Sequence, residues 1–185
     1  MAVLETGISK GSFYDLSRSQ NVFSALGTLT GQVAYTATAG MGCPLLWNNT
    51  GPSAGGTNGV VAVILGLSIG WTTAPSATGV MGIAVGHGQT AAPTSTSAIS
   101  LVGCLNSGGA TPLCNTYIKG TVANAASAFF PTHSLSTAGT PSDGMWVPLD
   151  GLVQVGPGGW AAVCASATIA SMVSWASLVW AEVPI

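Results

Sequence analysis

Two short segments of the chain have the spacing of a serine nucleophile. GISKG and GPSAG place Ser9 and Ser53 in the G-x-S-x-G pattern, in which a tight turn between a strand and a helix presents the hydroxyl to a base. No strand pattern precedes Ser9, and the GTNG after GPSAG is unsuited to starting a helix. Because the chain holds 26 glycines, such matches arise by chance. We therefore predict that neither serine is catalytic.

The other candidates for chemistry are two glycine-rich segments and a few titratable side chains. GHGQTA and GPGGWA loosely match a dinucleotide-binding turn, but neither is followed by a helical pattern, so both are interpreted as turns. His87 and His133 are the only histidines, and Asp143 and Asp150 each precede a glycine, as turn residues do. Nothing in this spacing pairs an acid with a base, and no C-x-x-C is present for zinc. We predict a non-enzymatic protein without cofactor or metal.

The chain contains four cysteines, Cys43, Cys104, Cys114 and Cys164. MAVLETGISK lacks a basic segment followed by an apolar one, so we expect no secretory signal and synthesis in a host cytoplasm, where thiols stay reduced. One pair remains open as a disulfide, Cys104 with Cys114, because CLNSGGATPLC has the composition of a loop whose ends meet.

Charge is unusually scarce. Asp, Glu, Lys and Arg make up 4% of the residues, against about 25% in an average soluble protein. The net charge of −2 with three basic residues argues against nucleic-acid binding. Because dispersed charge usually keeps a monomer soluble, we infer that much of the surface is covered by partners or by copies of the chain. The alternative is a neutral polar surface that is simply tolerated.

From residue 31 onward, short apolar segments alternate with turn residues. PLLWNN, GVVAVILGLSIGWTT, GVMGIAVG, MWVPL and LVQVG have the length and composition of strands. Only TVANAASAFF competes as a short helix. This spacing predicts an all-β chain, folded as an antiparallel sandwich or barrel. We assign residues 31–185 to one domain.

Residues 1–30 differ from the rest because they hold four of the eight charged side chains. An extended arm, a helix over residues 17–26 and an edge strand are all compatible with them. We predict an arm that docks on a neighbour, with Phe13, Tyr14 and Arg18 as interface residues.

Residues 160–181 form an uncharged stretch long enough to span a bilayer as a helix. Five Ser and Thr side chains within it would be unfavourable in lipid, so we predict two strands, over residues 160–167 and 171–183. Alternation in the second strand puts Trp175 and Trp180 on opposite faces. We expect Trp175 in the core, and Trp180, together with Trp71, at an interface.

The order of strand ends and turns is similar to that of virion proteins of tailed bacteriophages. The shared features are the W-N turn at Trp47, the D-G turn at Asp150, the P-G-G turn at Pro157 and the terminal WAEVP. The resemblance covers roughly residues 43–185 and contains no chemical motif.

This resemblance implies a jelly-roll-like sandwich, usually trimeric, on the outside of a capsid. We therefore expect a cement or decoration protein that is located on the virion exterior and binds the major capsid protein and copies of itself. Three alternatives are a tail or head fibre subunit that recognises a host glycan, a membrane protein using residues 160–181, and an enzyme.

Overall fold

The computed structural model of the chain describes residues 21–51, 59–94, 97–98, 102–104, 110–137 and 142–185. Within these ranges the regular structure consists of strands arranged in two antiparallel sheets that pack face to face. The predicted all-β antiparallel sandwich is therefore confirmed. In chain order the strands are β1 (Val22–Gln32), β2 (Leu45–Trp47), β3 (Val60–Trp71), β4 (Gly79–Gly86), β5 (Ser97–Ala98), β6 (Val102–Cys104), β7 (Asn115–Ile118), β8 (Ala128–Leu135), β9 (Ser142–Val155), β10 (Trp160–Ala165) and β11 (Ile169–Pro184).

Most consecutive strands of the chain alternate between the two sheets. The first sheet has the order β6-β1-β11-β3-β9, and the second has the order β5-β7-β2-β10-β4-β8. Each of the connections β1–β2, β2–β3, β3–β4, β8–β9, β9–β10 and β10–β11 crosses from one sheet to the other. The short strands β5, β6 and β7 lie between β4 and β8 in sequence and extend both sheets beyond β1 and β2.

The main core lies between the sheets and is built from alternate residues of each strand. The first sheet contributes Ile64, Leu67 and Leu178, and the second contributes Ile83 and Val163, all buried. Side chains along a strand point alternately to its two faces, so a strand with one face in this core presents its other residues outward.

The centre of the second sheet, formed by β2, β10 and most of β4, is buried on both faces. Its side away from the first sheet carries Leu45, Trp160 and Cys164, which pack with Met41 and Val122 from the flanking connections into a second core cluster. Double burial explains why GVMGIAVG and WAAVCA are continuous apolar segments instead of alternating ones.

The predicted boundary of the N-terminal arm requires a correction. Val22–Gln32 forms β1, which pairs with β11 on one side and β6 on the other, so residues 22–30 belong to the sandwich. The alternation of buried Phe23, Ala25 and Leu29 with exposed Leu26 and Thr28 is the physical reason. Residues 1–20 lie outside the described part of the chain.

The uncharged stretch at residues 160–181 forms β10 and most of β11, as predicted for strands. The two strands lie in different sheets, and β11 runs to Pro184 at the centre of the first sheet. Among the described residues, no helix is long and apolar enough to cross a membrane. The helical alternative for TVANAASAFF is not observed either, since its last residues begin β8.

Candidate contact surface

The candidate contact surface is the side of the first sheet that points away from the sandwich core, called the outer face below. One end of this face is buried, in a third hydrophobic cluster formed by Val22, Val179 and Ala181. Strand register aligns its residues in rows across β1, β11, β3 and β9, because directly paired residues point to the same side. The middle row is Leu26, Ser177, Ser68 and Trp146. The rows on either side of it are Ser24, Val179, Gly66 and Pro148, and Thr28, Trp175 and Gly70.

Two tryptophans on the outer face lie over glycines of neighbouring strands. The ring of Trp146 covers Gly66, and the ring of Trp175 covers Gly70 and Gly144. A Cβ at any of these glycines would collide with the indole above it. The glycines therefore leave the space that the two rings occupy, and the Trp146 side chain remains 48% exposed.

The outer face carries no formal charge in any of these rows. Its polar groups are hydroxyls, and in the middle row the Oγ atoms of Ser68 and Ser177 hydrogen-bond to each other at 2.6 Å. Leu26 and Trp146 at the two ends of that row are 42% and 48% exposed. Aromatic and aliphatic side chains on an uncharged surface are typical of the centre of a protein–protein interface.

The interface residues predicted from the sequence are not those that the structure exposes. Phe13, Tyr14 and Arg18 lie outside the described residues. Trp71 and Trp180 are buried in the main core at 6% and 0% exposure, so the prediction that they are interface residues is wrong.

Core contacts account for the placement of the two buried tryptophans. The Trp180 ring lies 5.9 Å from the ring of Phe23, and its Nε1 donates to Glu182 at 3.2 Å. The Trp71 ring lies 5.0 Å from that of His133 on β8. Trp175, expected in the core, instead lies half-buried on the outer face. The predicted faces of β11 were thus reversed.

A buried amide joins two of the predicted turns at one end of the sandwich. Asn48, in the W-N turn, donates from Nδ2 to the carbonyl oxygens of Val60 at 2.7 Å and Val155 at 2.8 Å. Its Oδ1 accepts from the Thr50 backbone N–H at 3.1 Å and from the Thr50 hydroxyl at 2.6 Å. All four hydrogen-bonding positions of this amide are therefore occupied.

The P-G-G turn packs directly on this amide. The Asn48 N–H donates to the Gly159 carbonyl at 2.9 Å, and the Gly158 N–H donates to the Asn48 carbonyl at 2.8 Å. Pro157 fixes the first turn position, and Gly158 supplies the positive φ of 74° that the second position needs. The W-N and P-G-G motifs are thus parts of one structural junction, which links β2, β3 and the β9–β10 turn.

Glu182 in the terminal WAEVP is a buried carboxylate that orders a loop. It accepts hydrogen bonds from the backbone N–H groups of Leu113 at 2.8 Å and Cys114 at 2.9 Å, besides the Trp180 indole. These bonds tie the segment before β7 to β11. The motif has a structural role that its sequence alone does not reveal.

Replacing Glu182 with glutamine is expected to lower the free energy of unfolding by about 1–3 kcal/mol, because the amide NH₂ then faces N–H donors that have lost their acceptor. Urea unfolding at pH 7 measures the change. Asp150→Asn, which makes the same carboxylate-to-amide change at an exposed turn, should stay within about 0.5 kcal/mol of the wild type. Equal effects of the two variants would contradict the role given to Glu182.

Three cysteines are buried free thiols, Cys43, Cys114 and Cys164. The disulfide left open between Cys104 and Cys114 is therefore not formed. Burial raises the pKa of Cys43 and of Cys164 to about 12. Burial and the adjacent Glu182 carboxylate raise the pKa of Cys114 further.

These thiols predict alkaline destabilisation. Above the ordinary thiol pKa of 9.0 the unfolded chain ionises its cysteines while the folded chain does not, so the free energy of unfolding should fall between pH 9.0 and about 12. Urea unfolding at a series of pH values measures the fall. In the double variant Cys43→Ala, Cys164→Ala the curve should be flatter, and an unchanged curve would assign the loss to other groups.

The residues considered for catalysis do not assemble. Ser9 and Ser53 lie outside the described residues. His87 lines an open cleft of about 240 Å³ beside Pro157 and Trp160, and the other lining residues include no acidic, basic or cysteine side chain. The Trp160 Nε1 has no hydrogen-bond partner, but this atom is buried and is therefore not available to a ligand in the cleft. In the described part of the chain, no group of three or more His, Cys, Asp or Glu residues is placed to hold a metal ion.

The outer face therefore stands out by its lack of charge and its exposed tryptophan. No sequence signal locates it, because the strand register is what places Trp175 opposite Gly70 and brings the Trp146 ring against Gly66. Comparison of the chain with protein-family models, with curated proteins and with solved structures found no match.

Proposed function

We propose that this chain is a non-enzymatic structural protein of a tailed-phage virion, which binds the outer capsid surface as a cement or decoration protein. The observation that carries the proposal is the uncharged outer face, where the rings of Trp146 and Trp175 contact glycines of neighbouring strands. A surface of this kind favours contact with protein, since it offers apolar area and hydroxyls and no charge to be desolvated.

We assign the sandwich to the jelly-roll type. In a jelly roll of eight strands, one sheet contains the first, last, third and sixth strands, and the other contains the second, seventh, fourth and fifth. When the short β5, β6 and β7 are set aside, the order β1-β11-β3-β9 against β2-β10-β4-β8 follows this rule. The strand order supports the fold that the resemblance to phage virion proteins implies.

The motifs on which that resemblance rests have structural roles, which is consistent with a scaffold and not with an active site. The W-N and P-G-G turns meet at Asn48, and the terminal WAEVP supplies Trp180 to the core and Glu182 to the loop before β7. Turns and strand ends of this kind preserve the shape of a sandwich, whose outer surface then makes the contacts.

The proposed mechanism is added contact area. A cement protein bound across capsid subunits must be detached before those subunits can separate, so each bound copy raises the free energy needed to open the shell. Because the outer face is uncharged, the binding should depend only weakly on salt. Heads carrying the protein should resist heat better than heads without it.

The test uses purified heads of the phage that encodes the chain, stripped of this protein and then incubated with the full-length chain. We expect co-sedimentation with the heads that changes less than about threefold between 50 mM and 500 mM NaCl, and a raised temperature of head disruption. Absence of binding, or release by moderate salt alone, would contradict the proposal. Location of the chain on tail or head fibres, with binding to host glycan, would favour the fibre alternative.

A further inference from the structure

The open cleft of about 240 Å³ lies at one end of the sandwich, between the end of β4 and the β9–β10 turn. Its apolar side chains belong to Val85, Val155, Pro157 and Trp160, and its polar side chains belong to His87, Ser127 and Gln154. The lining residues include no Asp, Glu, Lys or Arg. None of them belongs to the rows of the outer face. The cleft is therefore separate from the surface proposed to bind the capsid.

The three polar residues come from separate segments and keep unused hydrogen-bonding capacity. Val85 packs against the main core, and alternation places His87 on the same side, just beyond the end of β4. The His87 imidazole makes no hydrogen bond within the described part of the chain. Ser127 Oγ donates to the Val85 carbonyl at 3.2 Å, which leaves its lone pairs as acceptors. The Gln154 amide has only a long contact, at 3.5 Å, with the Gly151 carbonyl.

Hydrogen bonds hold the walls of the cleft in place. The Gln89 N–H donates to the Gly158 carbonyl at 2.9 Å, which joins the loop after β4 to the P-G-G turn. The buried Gln89 side chain accepts from the Ala123 N–H at 2.6 Å. From the same segment, Asn124 donates to the His87 carbonyl at 3.3 Å. A site fixed in this way loses little conformational entropy when a ligand binds.

Gly156 leaves open space beside the cleft. A Cβ at Gly156 would meet no atom within 4 Å, whereas a Cβ at Gly86 or Gly159 would come closer than 3.0 Å to other atoms. Gly156 also does not adopt a positive φ, so its backbone accepts any L side chain. A side chain placed there would fill this space without displacing the fold.

We propose that the cleft binds a single pyranose unit, at the end of a neutral polysaccharide chain. Sugar hydroxyls both donate and accept, which matches an imidazole, a hydroxyl and an amide, while the C–H groups of the ring match Val85 and Pro157. A charged ligand would lose water without gaining an opposite charge.

The dimensions of the cleft also favour a single sugar ring. Its volume of about 240 Å³ is below the roughly 300–1,000 Å³ of pockets for drug-sized ligands. Because the cleft is open, the glycosidic oxygen can stay in solvent, and the rest of the polysaccharide can continue away from the protein.

Binding at one such site should be weak. At the binding efficiency per atom that is ordinary for small ligands, a hexose of about twelve non-hydrogen atoms should have a dissociation constant of about 1–10 mM. A virion that carries many copies would hold a polysaccharide surface through many sites at once. This consequence rests on the proposed function, whereas the sugar site itself does not.

Nuclear magnetic resonance of the ¹⁵N-labelled full chain tests the site. Glucose, galactose and mannose, their methyl pyranosides, and glucuronate as a charged counterpart are each added to about 50 mM, well above the expected dissociation constant. We expect at least one neutral sugar and its methyl pyranoside to shift the amide signals of Gly86, Gly156 and Gly159, and to leave those of Ser68 and Ser177 unchanged.

Three results of this titration would overturn the proposal. They are the absence of shifts with every neutral sugar, binding of glucuronate as tight as that of the neutral sugars, and shifts confined to residues outside the cleft. Binding of a free sugar without its methyl pyranoside would overturn the polysaccharide as its source and assign the cleft to a free monosaccharide.

Two variants locate the binding. Gly156→Leu should weaken it at least tenfold, whereas Thr73→Leu should leave it unchanged, because that control adds the same side chain at an exposed residue beyond the opposite end of β3. His87→Ala should weaken it at least threefold, with His133→Ala as the unchanged control. Binding by Gly156→Leu at the strength of the wild type would overturn the site. If circular dichroism shows that Gly156→Leu is unfolded, His87→Ala decides, with unchanged binding as the contrary outcome.

Failure of the sugar site and failure of the proposed function are distinguishable. A chain that binds heads but no sugar keeps the proposed function and removes the sugar site. A chain that binds sugar in the cleft but no heads does the reverse.

Discussion

Asn48→Asp is expected to destabilise the folded chain by about 3–5 kcal/mol, close to the whole stability of a marginal domain. The introduced carboxylate oxygen would take the place of Nδ2 and face the carbonyl oxygens of Val60 and Val155, which now accept hydrogen bonds at 2.7 and 2.8 Å. The site is fully buried, so water cannot solvate the new charge. The P-G-G turn, bonded to the Asn48 backbone, should loosen with it.

Urea unfolding at pH 7, followed by tryptophan fluorescence, measures this loss. Asn124→Asp is the matched control, since its amide donates to the His87 carbonyl at 3.3 Å in an exposed loop. That variant should stay within about 0.5 kcal/mol of the wild type. If the two substitutions cost the same, Asn48 does not hold the junction of the W-N and P-G-G turns.

Trp180→Ala is expected to lower the free energy of unfolding by about 3–5 kcal/mol. The substitution removes an indole from a fully buried site and leaves a cavity between the sheets. It also removes the indole that donates to Glu182 and contacts Phe23. Loss of this side chain should therefore damage folding itself.

Trp175→Ala provides the comparison within the same strand. Trp175 is half-buried on the outer face, so its removal uncovers Gly70 and Gly144 without opening the core. We therefore expect Trp175→Ala to lower the free energy of unfolding by only about 1–2 kcal/mol. Chemical unfolding of both variants, fitted with the same slope of free energy against denaturant concentration, gives the two losses in the free energy of unfolding. A larger loss for Trp175→Ala would show that the faces of β11 have been assigned wrongly.

Several local features could be predicted from the sequence because they depend on short-range chemistry. Pro157 and Gly158 fit the first and second positions of a tight turn, and Asp150 and Gly151 both adopt positive φ within β9. Apolar, β-branched segments bounded by turn residues predicted strands, and the Ser and Thr side chains within residues 160–181 favoured strands over a membrane helix. Alternation in VFSALGTLTGQ is also a strand signal, but the charged residues before it favoured an arm over the strand that was the alternative.

The location of the contact surface could not be predicted in the same way. In β11 both faces are rich in apolar residues, so alternation alone does not tell which face meets the core. Trp180 is inside because Phe23 and Glu182 are brought to it by β1 and by β11 itself. Trp146 and Trp175 are outside because glycines that are distant in sequence leave room beneath their rings.

By itself the sequence determined the class of fold, the turns and an unusually uncharged surface, since each follows from composition or from residues a few positions apart. Only the tertiary structure decided which tryptophans are buried, how the W-N and P-G-G turns join at Asn48, and which sheet face remains outward. Those outcomes depend on strand register and on which strands become neighbours. Register brings Leu26, Ser177, Ser68 and Trp146 into one row from four separate parts of the chain.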